Sequence, residues 1–413
     1  MDQIYNDATV TIIAAAGADA EFGLPGVSHV SRRGQMSVDI GERRFLVFPD
    51  STEEVWHSIS SKRAWTYQEG LLSRRRLLFT ESQVYFQCMK MHCWEGLAAP
   101  PAALQHMRFY QVFPEDGIGR SGVDIVKRLN EYASRQLTFE SDALNAFLGI
   151  FRPYQRKDVF HFWGIPFLAR TDTNIDRNFG VALGWITRLP DRAQRRRAFP
   201  SWTWVGWQHL DNVPWGPEAQ EADISVRVVH RSEEVVSLSE YVDRVRAGAD
   251  FTEFLPSIVM TGWASKCRVI SAWEVKLDPP LPWMGAGVFV VRMMAMSEQS
   301  YGVLEEPLDI IYLGCQQSSS LFFSYLIIQG RNDGGSYVRV GTLSVMVHPF
   351  HLGKDDNRMG TLNTAVHGGL NRRRLHEAEP SDFSSRKRFQ QAPKHDILEF
   401  LRRRWELKVF RLM

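Results

Sequence analysis

Residues 62–88 read KRAWTYQEGLLSRRRLLFTESQVYFQC. The spacing predicts a helix over Ala64 to Leu72, carrying Trp65, Leu71 and Leu72, and then a hairpin of Arg75 to Thr80 with Gln83 to Cys88. Upstream, Thr9 to Ala16 (TVTIIAAA) is apolar at nearly every position, which predicts a strand covered on both faces. Met1 to Asn6 reads as the last turn of a helix. Between these segments lies a loop from Gly17 to Gly34, punctuated by Gly23, Pro25 and Gly26. Met36 to Ile40 and Arg43 to Phe48 follow as strands joined by Gly41-Glu42, a turn suited to a hairpin. Ser51-Thr52-Glu53-Glu54 has the pattern of a capping box and predicts a helix start. A strand, helices and a further strand in this order make an α/β unit of residues 1–95.

Downstream the pattern changes twice. Residues 96–122 are rich in Pro, Ala and Gly and read as an irregular connection. Val123 to Leu137 places Ile125, Leu129, Tyr132 and Ala133 on one helical face. A second helix, capped by Ser141 or Asp142, runs to about Phe151, and a third spans Ile175 to Thr187. The connecting region thus occupies 96–210 and ends in FPSWTWVGW, residues 199–207. Residues 211–370 are β-rich, with β runs between Ser257 and Val347. A basic tail fills 371–413, with an amphipathic helix expected over Asp396 to Phe410. The fold class is therefore α+β or α/β.

The chain has 413 residues with a formal net charge of +2, too little for a whole-chain affinity for nucleic acid or a membrane surface. Residues 371–413 alone carry +6, so the rest carries −4. No apolar run reaches bilayer length, and the N-terminus lacks the basic-then-apolar pattern of a signal peptide. Cys88, Cys93, Cys267 and Cys315 are too few for a disulfide framework and read as reduced thiols, which points to a cytoplasmic setting. His92 between Cys88 and Cys93 suggests zinc, but the spacing is wide and no second pair follows, so no metal is expected.

P-loop, HExxH and GxSxG patterns are absent. Gly117-Ile118-Gly119-Arg120-Ser121-Gly122 matches GxGxxG, but Pro114 to Asp116 separate it from any strand, so a loop is favoured over a cofactor turn. In 62–80, Arg63, Trp65, Tyr67, Gln68, Glu69 and Arg74 form the densest cluster. Glu69 beside arginines is the weak candidate for a catalytic carboxylate. The bland alternative pairs it with Arg63 or Arg74, and Trp65 then anchors the helix against the central strand. Trp202 and Trp204 share one face if their segment is a strand. With Trp207, they are assigned to the core in preference to a stacking surface.

Two segments carry a family resemblance. IYNDATVTIIAAAGADAEFGLPGV, which includes Gly17, Asp19, Gly23 and Gly26, resembles the middle of the fungal heterokaryon-incompatibility (HET) domain. RAWTYQEGLLSRRRLLFTESQVYFQC resembles that domain's most specific motif. SDALNAFLGIF, FHFWGIPF and FPSWTWVGW are similar to the region that follows the domain. The resemblance implies a TIR-like α/β domain whose earlier part, with its Tyr-x-Trp-Gly and Leu-Trp-Ile-Asp patterns, is not represented in this sequence. Thr9 to Ala16 is then expected to have one unpaired side. The implied function is non-self recognition signalling through a protein partner, ending in programmed cell death and needing no cofactor. The alternative is a TIR-like enzyme that takes NAD as substrate and uses Glu69.

Overall fold

The computed structural model describes residues 2–413 except 28, 48–49, 97–110, 188–193, 209, 215–221, 272–273, 279–289, 294–306, 318–320, 348–398 and 400. Most of the connection over 96–122 and of the basic tail therefore lies outside the described residues.

The chain mixes helices and strands throughout. Helix α1 (Asp2–Asp7) leads into β1 (Thr11–Ala14). β2 (Ser37–Ile40) and β3 (Arg43–Leu46) form a hairpin by themselves. Three short helices follow: α2 (Ser51–His57), α3 (Ile59–Lys62) and α4 (Ala64–Leu72). Then come β4 (Arg75–Phe79), β5 (Val84–Cys88) and β6 (His92–Trp94). The sheet order is β1-β4-β5-β6, with β1 parallel to β4 and the remainder antiparallel. A parallel pair needs a helical crossover, and α2 to α4 supply it. This is the α/β unit that the alternation of patterns predicts.

Downstream helices are α5 (Asp124–Ala133), α6 (Asn145–Tyr154), α7 (Ile175–Ala182) and α8 (Leu238–Arg246). Two small ribbons pair β7 (Val159–Phe162) with β8 (Ile165–Leu168) and β9 (Ile186–Thr187) with β10 (Leu210–Asn212). The large sheet contains β11 (Ser225–His230), β12 (Val235–Ser237), β13 (Phe254–Ser271), β14 (Glu274–Asp278), β15 (Val290–Met293), β16 (Leu308–Gln317), β17 (Leu321–Gly330), β18 (Tyr337–Val347) and β19 (Glu406–Leu412). Pairings run from β13 through β16, β17, β18 and β19 and back to β13, so these strands close a barrel, with a single pair, Tyr337 with Leu412, joining β18 to β19. The main core is continuous from Ala64 through Trp185 and Trp204 to Leu412. A smaller cluster of Ala15, Val55, Leu78, Tyr85 and Trp94 lies on the N-terminal sheet.

Several expectations need correction. The strand around Thr9 to Ala16 is four residues long and alternates in burial, with Ile12 57% exposed. Among the described residues it is bonded only to β4, so it is an edge strand rather than a covered central one. The cap of α2 is Asp50, whose carboxylate accepts from the Thr52 and Glu53 amides, one residue earlier than the Ser51 box. Of the helix expected over Asp396 to Phe410, residues 399 and 401–404 are helical among the described residues, and the chain then becomes β19, where pairing with β13 overrides local propensity. The 199–207 segment is not a strand. It turns through a 3-10 helix at Trp204–Gly206. Trp202, Trp204 and Trp207 are nevertheless all buried, as their core assignment requires. Indole N–H donors of Trp204 and Trp207 reach the carbonyls of Gly164 and Ser201, at 2.6 and 2.8 Å. The basic run beside them is structural too: Arg195 and Arg196 donate to carbonyls at Phe199, Val205, Gly206 and Trp207.

Candidate functional site

Helix α4 packs one face onto the core and turns Tyr67 toward a cleft of about 820 Å³. It is lined by Ile13 of β1, Trp56 of α2 and Tyr67 of α4, and by Arg128, Glu131 and Arg135. The Tyr67 hydroxyl donates to the Glu131 carboxylate, which also pairs with Arg128 at 3.1 Å. The Arg135 guanidinium lies 4.4 Å over the Tyr67 ring and donates to the Ser61 carbonyl. Burial holds the Tyr67 phenol well above its usual range, and the Glu131 charge adds to this. Burial also lowers the Arg135 guanidinium. The phenol is therefore a proton donor fixed on a carboxylate, not a base. These contacts tie α4 to α5, with no nucleophile–base pair among them.

In the glycine turn at 117–122, which contributes to the cleft, four amides are already bonded within the loop, those of Gly117 and Gly119 to the Pro114 and Asp116 carbonyls. Asp124 Oδ2 accepts from the amides of Arg120 and Ser121, at 3.0 and 2.9 Å. Burial works to raise this carboxyl, but hydrogen bonds from Ser121 and Lys127 outweigh it and bring it down to about 2. An anion already fills the position where a phosphate would sit.

The residues singled out in 62–80 do not converge. Glu69 is half-buried on another face of α4, hydrogen-bonded by the Tyr5 hydroxyl, and lines neither this cleft nor the one beside Asn6. Its partner is thus Tyr5 rather than Arg63 or Arg74, both of which are exposed. Trp65 is half-buried and donates to Asp142 at 3.2 Å, so it docks on the 140–143 turn and not on the central strand. Gln68 is buried. Gly17, Gly23 and Gly26 all take positive φ, and Asp19 caps the turn at Ala20–Phe22. These four residues shape a loop. Glu131, Arg128 and Arg135 escaped the sequence reading. Their signal is a charge spacing of three and four over 128, 131 and 135, although Arg128 lies on the buried face of α5 and Arg135 just beyond its end. The four cysteines are free, and no cluster of three or more His, Cys, Asp or Glu among the described residues is placed to hold a metal ion. No helix among the described residues is long and apolar enough to cross a membrane.

The second feature is apolar. Among the described residues, 21 large hydrophobic side chains are exposed, and 13 of them lie between Ile4 and Ile59. That share is far above what the length of the segment predicts.

Residues 1–69 match the family model described as Heterokaryon incompatibility protein (HET). The match ends within α4, so it contains Ile13, Trp56 and Tyr67 of the cleft and the whole exposed apolar segment, while α5 lies outside it. No curated protein and no solved structure matches the chain.

Proposed function

We propose that this chain acts in fungal heterokaryon incompatibility as an interaction module, docking a protein partner on the apolar surface of its first 60 residues and so promoting cell death. The match at residues 1–69 supports the incompatibility role. The observation that carries the docking role is the crowding of exposed apolar side chains into that same segment. A solvated monomer gains nothing from keeping Met36, Ile40 and Trp56 in water, whereas a partner that covers them recovers the burial energy. The NAD-cleaving alternative has weaker support, since Glu69 is engaged by Tyr5 and faces no described cleft.

The test is expression of the chain in a fungal host, scored by uptake of a vital dye. Wild type is expected to kill. Val38→Asp and Phe45→Asp are expected to accumulate to the same level without killing. Equal killing by these variants overturns the docking role. Purified chain mixed with NAD is expected to release no nicotinamide.

A further inference from the structure

The β2–β3 hairpin pairs with no other strand among the described residues, and every residue of both strands is exposed. Residues directly opposite in an antiparallel ladder share a face. Val38 stands opposite Phe45 and Ile40 opposite Arg43, while the Val47 amide donates to the Met36 carbonyl at 2.9 Å. One face is therefore Met36, Val38, Ile40, Phe45 and Val47, each 49% to 69% exposed, with Arg43 at the turn end. The other face carries Ser37 opposite Leu46 and the Asp39–Arg44 ion pair at 2.9 Å. A two-stranded hairpin alone in water is marginally stable, so an ordered one with a continuous apolar face calls for a cover.

We infer that the cover is the same face of a second copy of this chain. The inference rests on the docking role proposed above and names the partner. Charge placement argues for it. The stripe's one charge, Arg43, sits at its end. When two hairpins pack face to face around a two-fold axis and point in opposite directions, each Arg43 falls at the rim. The centre is then wholly apolar, the anatomy expected of an isologous interface. Area argues for it as well. Five side chains at this exposure offer about 500 Å² per copy, so a pair buries roughly 1,000 Å², the lower bound for specific association. The dimer is thus weak and concentration-dependent. A lipid surface fits less well, because Asp39, Glu42, Arg43 and Arg44 crowd the hairpin tip that would have to enter first.

Sedimentation of the full chain over a wide concentration range tests this. Wild type is expected to pass from one-copy to two-copy mass as concentration rises. Val38→Asp and Phe45→Asp are expected to stay at one copy, while Ser37→Asp, on the opposite face, still pairs. Under oxidation Val38→Cys is expected to give a covalent dimer that neither wild type nor Ser37→Cys gives. A wild type that remains single at every concentration, or a Val38→Asp variant that still dimerises, overturns the inference. The two readings fail separately. A monomeric wild type whose killing is abolished by Val38→Asp keeps the docking role with another partner. A dimer whose loss leaves killing intact keeps the homotypic interface and removes its proposed role.

Discussion

The guanidinium of Arg339 lies 3.5 Å from the centroid of the Trp185 ring and donates to that residue's own carbonyl oxygen. It also reaches the Leu183 carbonyl at 2.7 Å, at the C-terminal end of α7. Arg76 repeats the arrangement beneath α4, donating to the Gly70 and Leu71 carbonyls and lying 4.7 Å over the Phe113 ring. Both arginines are buried, and no carboxylate pairs with either among the described residues. Helix carbonyls, with the partial negative charge of a helix C-terminus, take the counter-ion's place. Burial lowers the Arg339 guanidinium well below its usual range and brings Arg76 to about 10.

Arg339→Leu removes the guanidinium donor from the buried Leu183 carbonyl and leaves the Trp185 carbonyl with only the Thr342 hydroxyl, at 3.4 Å. The expected cost is about 3–5 kcal/mol. Urea unfolding of the full chain should show the midpoint falling accordingly. A change under about 1 kcal/mol would mean that water replaces the guanidinium.

Asp176 and His161 give pH effects of opposite sign. Burial pushes the Asp176 carboxyl up to about 6, against a lowering hydrogen bond from the Val226 amide. The protonated acid thus favours the fold. That contribution is complete below the ordinary value of 3.8 and is lost as pH rises through about 6. Burial pushes the His161 imidazole down to about 4, so the neutral ring favours the fold. Its contribution is complete above 6.5 and is lost as pH falls toward 4. Asp176→Asn is therefore expected to stabilise the chain by up to roughly 2 kcal/mol near neutral pH, and less near pH 5. His161→Phe should compare better with wild type in acid than at neutrality. Denaturant titrations at both pH values read each difference.

Gly17 and Gly41 separate backbone strain from crowding. Both have positive φ, +77° and +63°. A Cβ on Gly17 would lie 2.1 Å from the Phe22 ring, whereas one on Gly41 meets nothing within 4 Å. Gly41→Ala should cost about 1 kcal/mol and Gly17→Ala about 2–4 kcal/mol. Equal thermal shifts for the two would mean that Phe22 moves freely.

Glu69→Gln keeps an acceptor for the Tyr5 hydroxyl, so it should change stability by less than about 0.5 kcal/mol. It should also leave killing in the fungal host unchanged. A variant that folds normally and no longer kills would return Glu69 to a functional role.

Local signals made much of the N-terminal unit legible. Helix α4 and the strands β4 and β5 follow directly from the 62–88 stretch, and the β2–β3 hairpin from Gly41-Glu42. What escaped depends on contacts distant in sequence. The one unpaired side expected for Thr9 to Ala16 is present among the described residues, but the exposure of Ile12 follows from packing that its apolar run does not reveal. Leu407, Val409, Phe410 and Leu412 fit a helix or a strand, and β13 decides between them. Tyr67 stands in the densest cluster of the sequence, but its partner Glu131 lies 64 residues away, and nothing local links the two.

The barrel sets a timetable for synthesis. β13 is complete at Ser271, yet the strand that pairs with its other side, Glu406–Leu412, emerges more than a hundred residues later. At ordinary translation speeds that interval is on the order of 7–28 s. Throughout it, Ile258, Met260 and Ala264 have no partner strand on that side, and the interior positions of Phe410 and Leu412 stay empty. Ser201 waits as well, since its hydroxyl donates to the Met413 carbonyl at 2.9 Å. A nascent chain halted between residues 271 and 406 thus exposes an open apolar ladder, a substrate for chaperones or for degradation.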